Sequence, residues 1–344
     1  MQKPVQRYPI TTFYSIVIYK DTMMNNRSKL KIPWLVKRLT QILIVLFGVS
    51  VLTFVFYALA PGDAVNQYAA PNVSAERLDD IRQQYGLDKS IPVQYFRWLG
   101  KSLQGNLGYS LAKHQPVADV VRTAIPATLR LTLAALCLNL ILGTLWGVFA
   151  AVHANRLTGR ILNIVSILFI SIPVFWLSLV ALYFCSLRWG WYQAFNTFSA
   201  GSTWALYINR YLLPVLILGT AGAAATCRFV RENMIAALHE PYCLQARAAG
   251  LPNQRIVRYA LRNALLPLIT QTGLIFPFLL GGSFIIEVIF ALPGMGRITY
   301  DAIFSRDIPV ILSVNMLSAA LVVFGNALAD ILYRHIDPRI SLTY

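Results

Sequence analysis

The chain has 344 residues, is 57% hydrophobic and only 13% charged, and carries a formal net charge of +16. So few charges exclude an ordinary soluble protein of this size, because the apolar residues gather into uncharged runs of roughly 20, the length that crosses a bilayer core as a helix. The positive charge does not point to nucleic acid, since it is concentrated near the N-terminus and in one later loop.

In chain order, residues 1–33 form a polar cytoplasmic extension. Residues 1–30 have no apolar period and are expected to be dispensable; Met23 or Met24 is a candidate start. The first span is Leu39 to Ala60, within a segment 34–60. Ala58-Leu59-Ala60 resembles a cleavage site, but the run before it is longer than a signal peptide's roughly 7–15 apolar residues, so it reads as an uncleaved anchor. Ala60-Pro61-Gly62-Asp63 is a turn signal. Residues 61–126 then form a small external helical segment. In it Ser74 caps a helix running to Tyr85 with Gly86 as its stop, and Pro92 opens a second helix with Val93, Phe96 and Leu99 as its apolar face. A loop at Gly105–Ser110 and a lead-in at Pro116–Val121 complete it.

The remaining residues, 127–340, read as a five-helix core. Its spans are Leu131 to Val152, Ile161 to Leu187, Leu212 to Cys227 (short, and expected to begin earlier), Ala264 to Phe290 and Val310 to Tyr333. With no water in the bilayer to satisfy the backbone, all six spans must be helices. Pro173 predicts a kink in the third span, and Arg188, Trp189, Trp191 and Tyr192 after it form an outer interfacial belt. Pro277, then Gly281-Gly282 for close packing, and Glu287 mark the fifth span. Asp330 ends the sixth, before a stop at Arg334–Arg339. Candidate positions along a translocation path are Pro173, Phe175, Pro277 and Glu287.

The charges orient the chain. Eight Lys and Arg precede the first span, from Lys3 to Arg38, and six Arg lie between Arg228 and Arg262. The segments joining spans three to four and five to six hold about two each. By the positive-inside rule both termini and the 228–262 loop face the cytoplasm, and 61–126 faces out.

That cytoplasmic loop carries the most information. Pro241 opens a short helix, where its missing N–H has no cost. Glu240 precedes it. Tyr242, Ala246 and Ala249 fall on one face, and the small alanines permit close approach by another protein. Gly250 ends the helix in a left-handed conformation, followed by Leu251. Pro252 opens a second helix with Arg255, Arg258 and Arg262 along a face near lipid headgroups. On its own this pattern also fits an amphipathic loop lying at the interface.

The stretch Gln245-Ala-Arg-Ala-Ala-Gly-Leu251, followed by Arg262-Asn-Ala-Leu-Leu-Pro267, resembles the coupling loop of ABC-importer permeases, and more narrowly that of the dipeptide/oligopeptide/nickel permease family. Further stretches carry the same resemblance: Tyr85-Gly-Leu-Asp88 with Gln94-Tyr95 and Trp98-Leu99, Gly105-Asn-Leu-Gly-Tyr-Ser110, Pro126-Ala-Thr-Leu129, Glu287–Phe290 with Pro293–Arg297, and Asp337-Pro-Arg339. Together they cover about residues 34–340. The resemblance implies an all-α membrane protein with six transmembrane helices and the type I ABC importer permease fold. Glu240, Tyr242, Ala246, Arg247, Ala249, Gly250 and Leu251 would form the ATPase-coupling loop, within a cytoplasmic coupling segment at 232–263.

The implied activity is alternating-access uptake of peptides, nickel or related small solutes in a bacterial inner membrane. The implied partners are a second homologous permease, two cytoplasmic ATPases and an external solute-binding protein, with membrane lipid around the spans and no nucleic acid. The chain departs from the pattern at Leu244 and Gln245, where an acidic residue is usual, at Asn106 for an aspartate, and at Arg130 for a glutamate. Arg130 is expected at the outer boundary, where it can snorkel.

Enzymatic chemistry finds no support. Gly100-Lys101-Ser102 lacks the phosphate loop's first glycine, since Tyr95 stands in its place. No H-E-x-x-H is present, and His114, His153, His239 and His335 lie far apart. Cys137, Cys185, Cys227 and Cys243 read as buried hydrophobes. Neither cofactor nor metal site is expected. A scaffold that recruits a soluble partner, or an ion channel, are the alternatives to a permease.

Overall fold

The computed structural model describes residues 32–59, 88–110, 112–192 and 204–336. The expected helix from Ser74, the turn at 60–63, the N-terminal extension and the terminal Asp337–Arg339 lie outside them.

The architecture is helical. The elements are α1 (Ile32–Leu59), α2 (Ile91–Leu103), a hairpin of β1 (Tyr109–Ser110) and β2 (Gln115–Pro116), α3 (Val117–Val152), α4 (Leu157–Ser171), α5 (Val174–Leu182), α6 (Trp204–Leu238), α7 (Pro241–Ala248), α8 (Asn253–Ala264), α9 (Leu266–Ile289), α10 (Met295–Phe304) and α11 (Ile308–Ile336). Among the described residues five helices are long and apolar enough to cross a membrane, and the bent pair α4–α5 makes a sixth span if counted as one. Of the loop expected at Gly105–Ser110, only Tyr109–Ser110 becomes a strand, the first of this hairpin. It pairs Tyr109 with Pro116 and Ser110 with Gln115. The Ser110 hydroxyl donates to the buried Asp307 carboxylate, fastening the hairpin beside the start of α11.

Three boundaries differ from the sequence reading. First, α3 begins at Val117 and runs through 126/127, so the lead-in and the second span are one continuous helix containing Pro126. Secondly, α6 starts at Trp204 and continues to Leu238, which puts Arg228 and Arg231 on the span's own helix rather than in a loop. Thirdly, the third span is broken, not kinked: α4 and the segment from Val174 to Arg188 meet at 92°. Proline removes one hydrogen bond and also drives the residue before it out of the helical region. Ile172 (φ −83°, ψ 121°) and Pro173 (φ −61°, ψ 133°) are both extended. Two consecutive extended residues stop a helix where a single lost bond would only bend it. A π-helical turn, Tyr183–Arg188, follows α5.

The centre of the molecule is the pairing of α3 with α6. In lipid no hydrophobic force drives helices together, so close approach through small residues must hold them. A Cβ on Gly143 would lie 2.6 Å from Thr226, on Gly147 2.7 Å from the Cys227 carbonyl oxygen, on Gly219 2.8 Å from Leu138, and on Gly222 2.1 Å from the Asn139 amide nitrogen. The Thr226 hydroxyl donates to Asn139 Oδ1 at 2.7 Å across the same contact. Gly281 and Gly282, expected to serve close packing, do so less: Gly281 faces open space and Gly282 comes no nearer than 3.2 Å to Leu218.

Around this pair sit three apolar clusters. One joins Val117, Val120, Val121 and Ala124 of α3 to α10 and α11. A middle one joins Leu131 and Ala135 to Leu213, Ile217, Leu279 and Phe290. A third joins Val230 and Met234 of α6 to α7 and α8. Outside them α1 packs on α11, with Arg38 ion-paired to Asp330. Cys185, Cys227 and Cys243 are buried free thiols, whereas Cys137 is exposed on α3, contrary to expectation.

Gly147→Leu puts a branched side chain against backbone that cannot move aside. It should lower stability by roughly 1–3 kcal/mol or more, read as a lower thermal midpoint of the purified protein in detergent. Gly281→Ala should leave that midpoint unchanged.

Candidate functional site

Between α6 and α9 the chain makes two short helices at one end of the bundle. Glu240, extended at φ −64° and ψ 148°, precedes α7, and its carbonyl accepts from Cys243 N–H at 2.9 Å and Leu244 N–H at 3.1 Å. Pro241 occupies the first turn, where no intrahelical donor is needed. The helix ends at Gly250 with φ +76°. Leu251 N–H donates to the Ala246 carbonyl and Gly250 N–H to the Arg247 carbonyl, each at 3.1 Å. That pair of bonds is a Schellman motif, which requires a left-handed residue at this position. Pro252 then opens α8, its carbonyl accepting from Arg255 N–H at 2.9 Å.

The faces of α7 differ from the sequence reading. Tyr242 and Ala246 are partly buried and pack, with fully buried Cys243 and with Leu251, onto Met234, Ile256 and Ala260. Burial pushes the Tyr242 phenol above its ordinary pKa, so it stays neutral. These residues hold α7 to the bundle and do not offer a surface. The exposed face is Leu244, Gln245, Arg247, Ala248 and Ala249, with Leu244 48% exposed. Counting small residues found the helix but not its inner side, because the apolar residues that choose the side come from α6 and α8. On α8, Ile256, Ala260 and Ala264 are buried while Arg255, Arg258 and Arg262 are exposed, as expected.

The four candidate path residues do not form one site. Pro173 is exposed at the α4–α5 break. Phe175 points away from the core, since its neighbours Val174 and Leu177 pack inward. Pro277 is half-buried within α9.

Glu287 is fully buried near the end of α9. Gly296 N–H donates to its Oε2 at 2.6 Å and Leu292 N–H to its carbonyl at 2.9 Å. A Cβ on Gly294 would lie 2.3 Å from its carboxyl carbon. Met295 N–H donates to the Thr128 hydroxyl at 2.8 Å, and Arg210 Nη2 donates to the Ala291 carbonyl at 2.8 Å. Glu287 therefore organises the turn from Phe290 to Gly296. Thr128, Arg210, Gly294 and Gly296 were not singled out as site residues. The two glycines flanking Met295, a few residues after a membrane-buried carboxylate, are the signal that could have found them. Arg130 is exposed on α3, two residues beyond Thr128 and so near the level of this turn.

Among the described residues no group of three or more His, Cys, Asp or Glu could hold a metal ion. What the arrangement presents is a multi-span bundle with a short, rigidly stopped helix exposed at one end, the build of a transport subunit coupled to a separate protein.

The chain matches the family of binding-protein-dependent transport system inner membrane components over residues 143–342, and that family's N-terminal region over residues 31–132. It is 35% identical over 312 residues to the oligopeptide transport system permease protein AppB of Bacillus subtilis strain 168, covering 90% of this chain and 99% of that one. It is 37% identical over 308 residues to the glutathione transport system permease protein GsiC of Escherichia coli O6:H1, covering 89% and 98%. The fold resembles a chain of the MetNI methionine ABC transporter in inward-facing conformations, with a TM-score of 0.53 at 21% identity, over 63% of this chain and 96% of that one.

The chain belongs to the binding-protein-dependent transport system inner membrane component family. It is a multi-pass inner-membrane permease subunit of an ABC importer of the peptide-permease group, and ATP hydrolysis resides in separate subunits. The scaffold and ion-channel alternatives are thereby set aside.

Glu287→Gln keeps an oxygen acceptor for Gly296 N–H and should preserve the turn. Glu287→Leu leaves that buried donor unpaired and should cost about 1–3 kcal/mol. The thermal midpoints of the two purified variants, compared at equal expression, check this.

Proposed function

We propose that this permease moves small peptides or peptide-like solutes into the cytoplasm, and that α7 is the element that docks on its ATPase. The observation that carries the docking role is the exposed face Leu244–Ala249 on a helix whose other side is fixed to α6 and α8. A helix held on one side and bare on the other transmits a partner's displacement into the bundle without folding away. Arg247 adds a charge at the rim of that face.

In this reading Glu240, Arg247, Ala249 and Gly250 lie at or beside the docking surface, and Tyr242, Ala246 and Leu251 hold the helix from behind. A second homologous permease and two ATPases complete the assembly. Both termini and α7–α8 lie on the cytoplasmic side, supported by the Arg-rich stretch from Arg228 to Arg262. Solute arrives from an external binding protein at the opposite face. ATP-driven closure of the ATPases shifts α7, and the spans reopen to the other side. Pro173 and Phe175, at the break in the third span, are the path positions best supported, because a broken helix inside a bundle can present backbone groups to a passing polar solute. The names of the similar proteins favour oligopeptides or glutathione as the solute class over nickel.

Reconstituted complex, supplied with its binding protein and ATP inside proteoliposomes, should accumulate a labelled oligopeptide or glutathione and not nickel ion. Accumulation of nickel alone would overturn the assignment of solute.

Gly250→Val should abolish uptake while the protein still inserts. No atom lies within 4 Å of a Cβ at Gly250, so the defect is backbone strain alone, about 1–2 kcal/mol for a left-handed L-residue and more for a β-branched one. Gly250→Asn, which tolerates this conformation, should retain most uptake. The comparison is ATP-dependent uptake at matched membrane levels of the variants.

A further inference from the structure

The apolar face expected of α2 is Val93, Phe96 and Leu99. Leu99 packs against the cluster around Tyr95, the buried residue of the helix, whereas Phe96 is 64% exposed, as is Leu103 at 80%. The Tyr95 hydroxyl is 2.7 Å from the Ser50 hydroxyl of α1, and its ring stands edge-on to Phe54 and Phe47 at 5.4 and 6.4 Å. Leu312 of α11 joins the same cluster.

These contacts set the depth of α2. The apolar span of α1 is Val36–Phe56, and Ser50 is six residues inside its Phe56 end, or about 9 Å at the helical rise. The span of α11 is Ile308–Ile331, and Leu312 is four residues inside its Ile308 end, or about 6 Å. Measured against the apolar length of both neighbouring helices, Tyr95 therefore lies below the span ends, not above them.

At that depth the exposed side chains sort by face. Phe96 and Leu103, seven residues apart, share one side of the helix, and Arg97 and Lys101, four apart, share another. Both basic residues are exposed.

We propose that α2 is an interfacial helix seated in the outer leaflet. Its Phe96–Leu103 stripe lies at the acyl-chain boundary, and Arg97 and Lys101 reach the lipid phosphates. An amphipathic helix with basic residues beside an apolar face binds a bilayer surface in this way. A soluble binding protein approaching from water would meet the span ends before it met this stripe, so lipid is the occupant. The inference rests on the outward placement of residues 61–126 proposed above.

The test is the labelling rate of single cysteines by a membrane-impermeant maleimide in intact cells expressing the full complex, in a Cys137→Ser background. Lys101→Cys should react quickly. Phe96→Cys and Leu103→Cys should react about tenfold more slowly, because the thiolate that reacts is suppressed in apolar surroundings, and the difference should vanish once the complex is denatured. Equal rates at all three positions overturn the lipid assignment while leaving the outward placement intact. Fast labelling of Phe96→Cys that is blocked by the binding protein assigns the stripe to that protein and also overturns it. If Lys101→Cys reacts only after permeabilisation, the outward placement fails and the inference with it. A fluorophore on Leu103→Cys in complex reconstituted into nanodiscs gives a second measure: quenching by doxyl-labelled lipid should exceed quenching by aqueous iodide, and the reverse overturns the proposal.

Discussion

Everything in this bundle leans on the approach of α3 to α6. Four glycines on the two helices bring backbone and small side chains so close that a single added carbon at any of them would overlap a neighbour. Lipid tails are as apolar as leucine, so burying larger side chains between these helices would gain little over leaving them in lipid. Close packing and a shared hydrogen bond, here Thr226 to Asn139, are what favour association. The pair therefore behaves as one rigid body of two long helices.

The two ends of that body hold different elements. At one end Thr128 of α3 receives the Met295 N–H, and Arg210 of α6 reaches the Ala291 carbonyl, so the turn organised by Glu287 is held from both helices. At the other end Val230 and Met234 of α6 form the floor on which α7 and α8 lie. The helix α7, proposed above as the docking element, and the Glu287 turn at the opposite end are joined through the packed pair of α3 and α6. On that proposal, two packed arrangements of such a body, rather than a gradual deformation, would deliver a push on one end at the other.

Much of this was legible in the sequence, and the parts that were not have physical causes. The spans could be read because roughly 20 apolar residues are a requirement of the bilayer itself. Gly250 could be read because a left-handed helix stop and a following proline are local signals, and it sits at φ +76°. The limits of α6 could not, because its ends leave the apolar zone and continue as an ordinary helix through Arg228 and Arg231. Nor could the inner side of α7, since Tyr242 and Ala246 are turned inward by Met234 and Ile256, which lie on the neighbouring helices α6 and α8 rather than on α7 itself. The same holds for α2, where the ring of Tyr95 is chosen as the buried one by Phe54 and Leu312. Pattern within an element gives its existence; the face it buries is decided by its partners.

The polar residues of the spans bear on how a solute could pass. Ser166, Ser178, Thr132 and Ser283 are buried, and each donates its hydroxyl to a carbonyl three or four residues back on its own helix. Glu287 has one carboxylate oxygen bound to the Gly296 N–H and is walled in by Gly294. The hydroxyls are spent on their own helices and the carboxylate on the neighbouring turn. Meanwhile the faces of α4 and α5 that remain bare display Ile164, Leu168, Phe175, Trp176 and Leu179. If the path proposed above runs along the α4–α5 break, these apolar faces offer a polar peptide few hydrogen-bond partners, which fits recognition by the protein that delivers the solute rather than by this subunit.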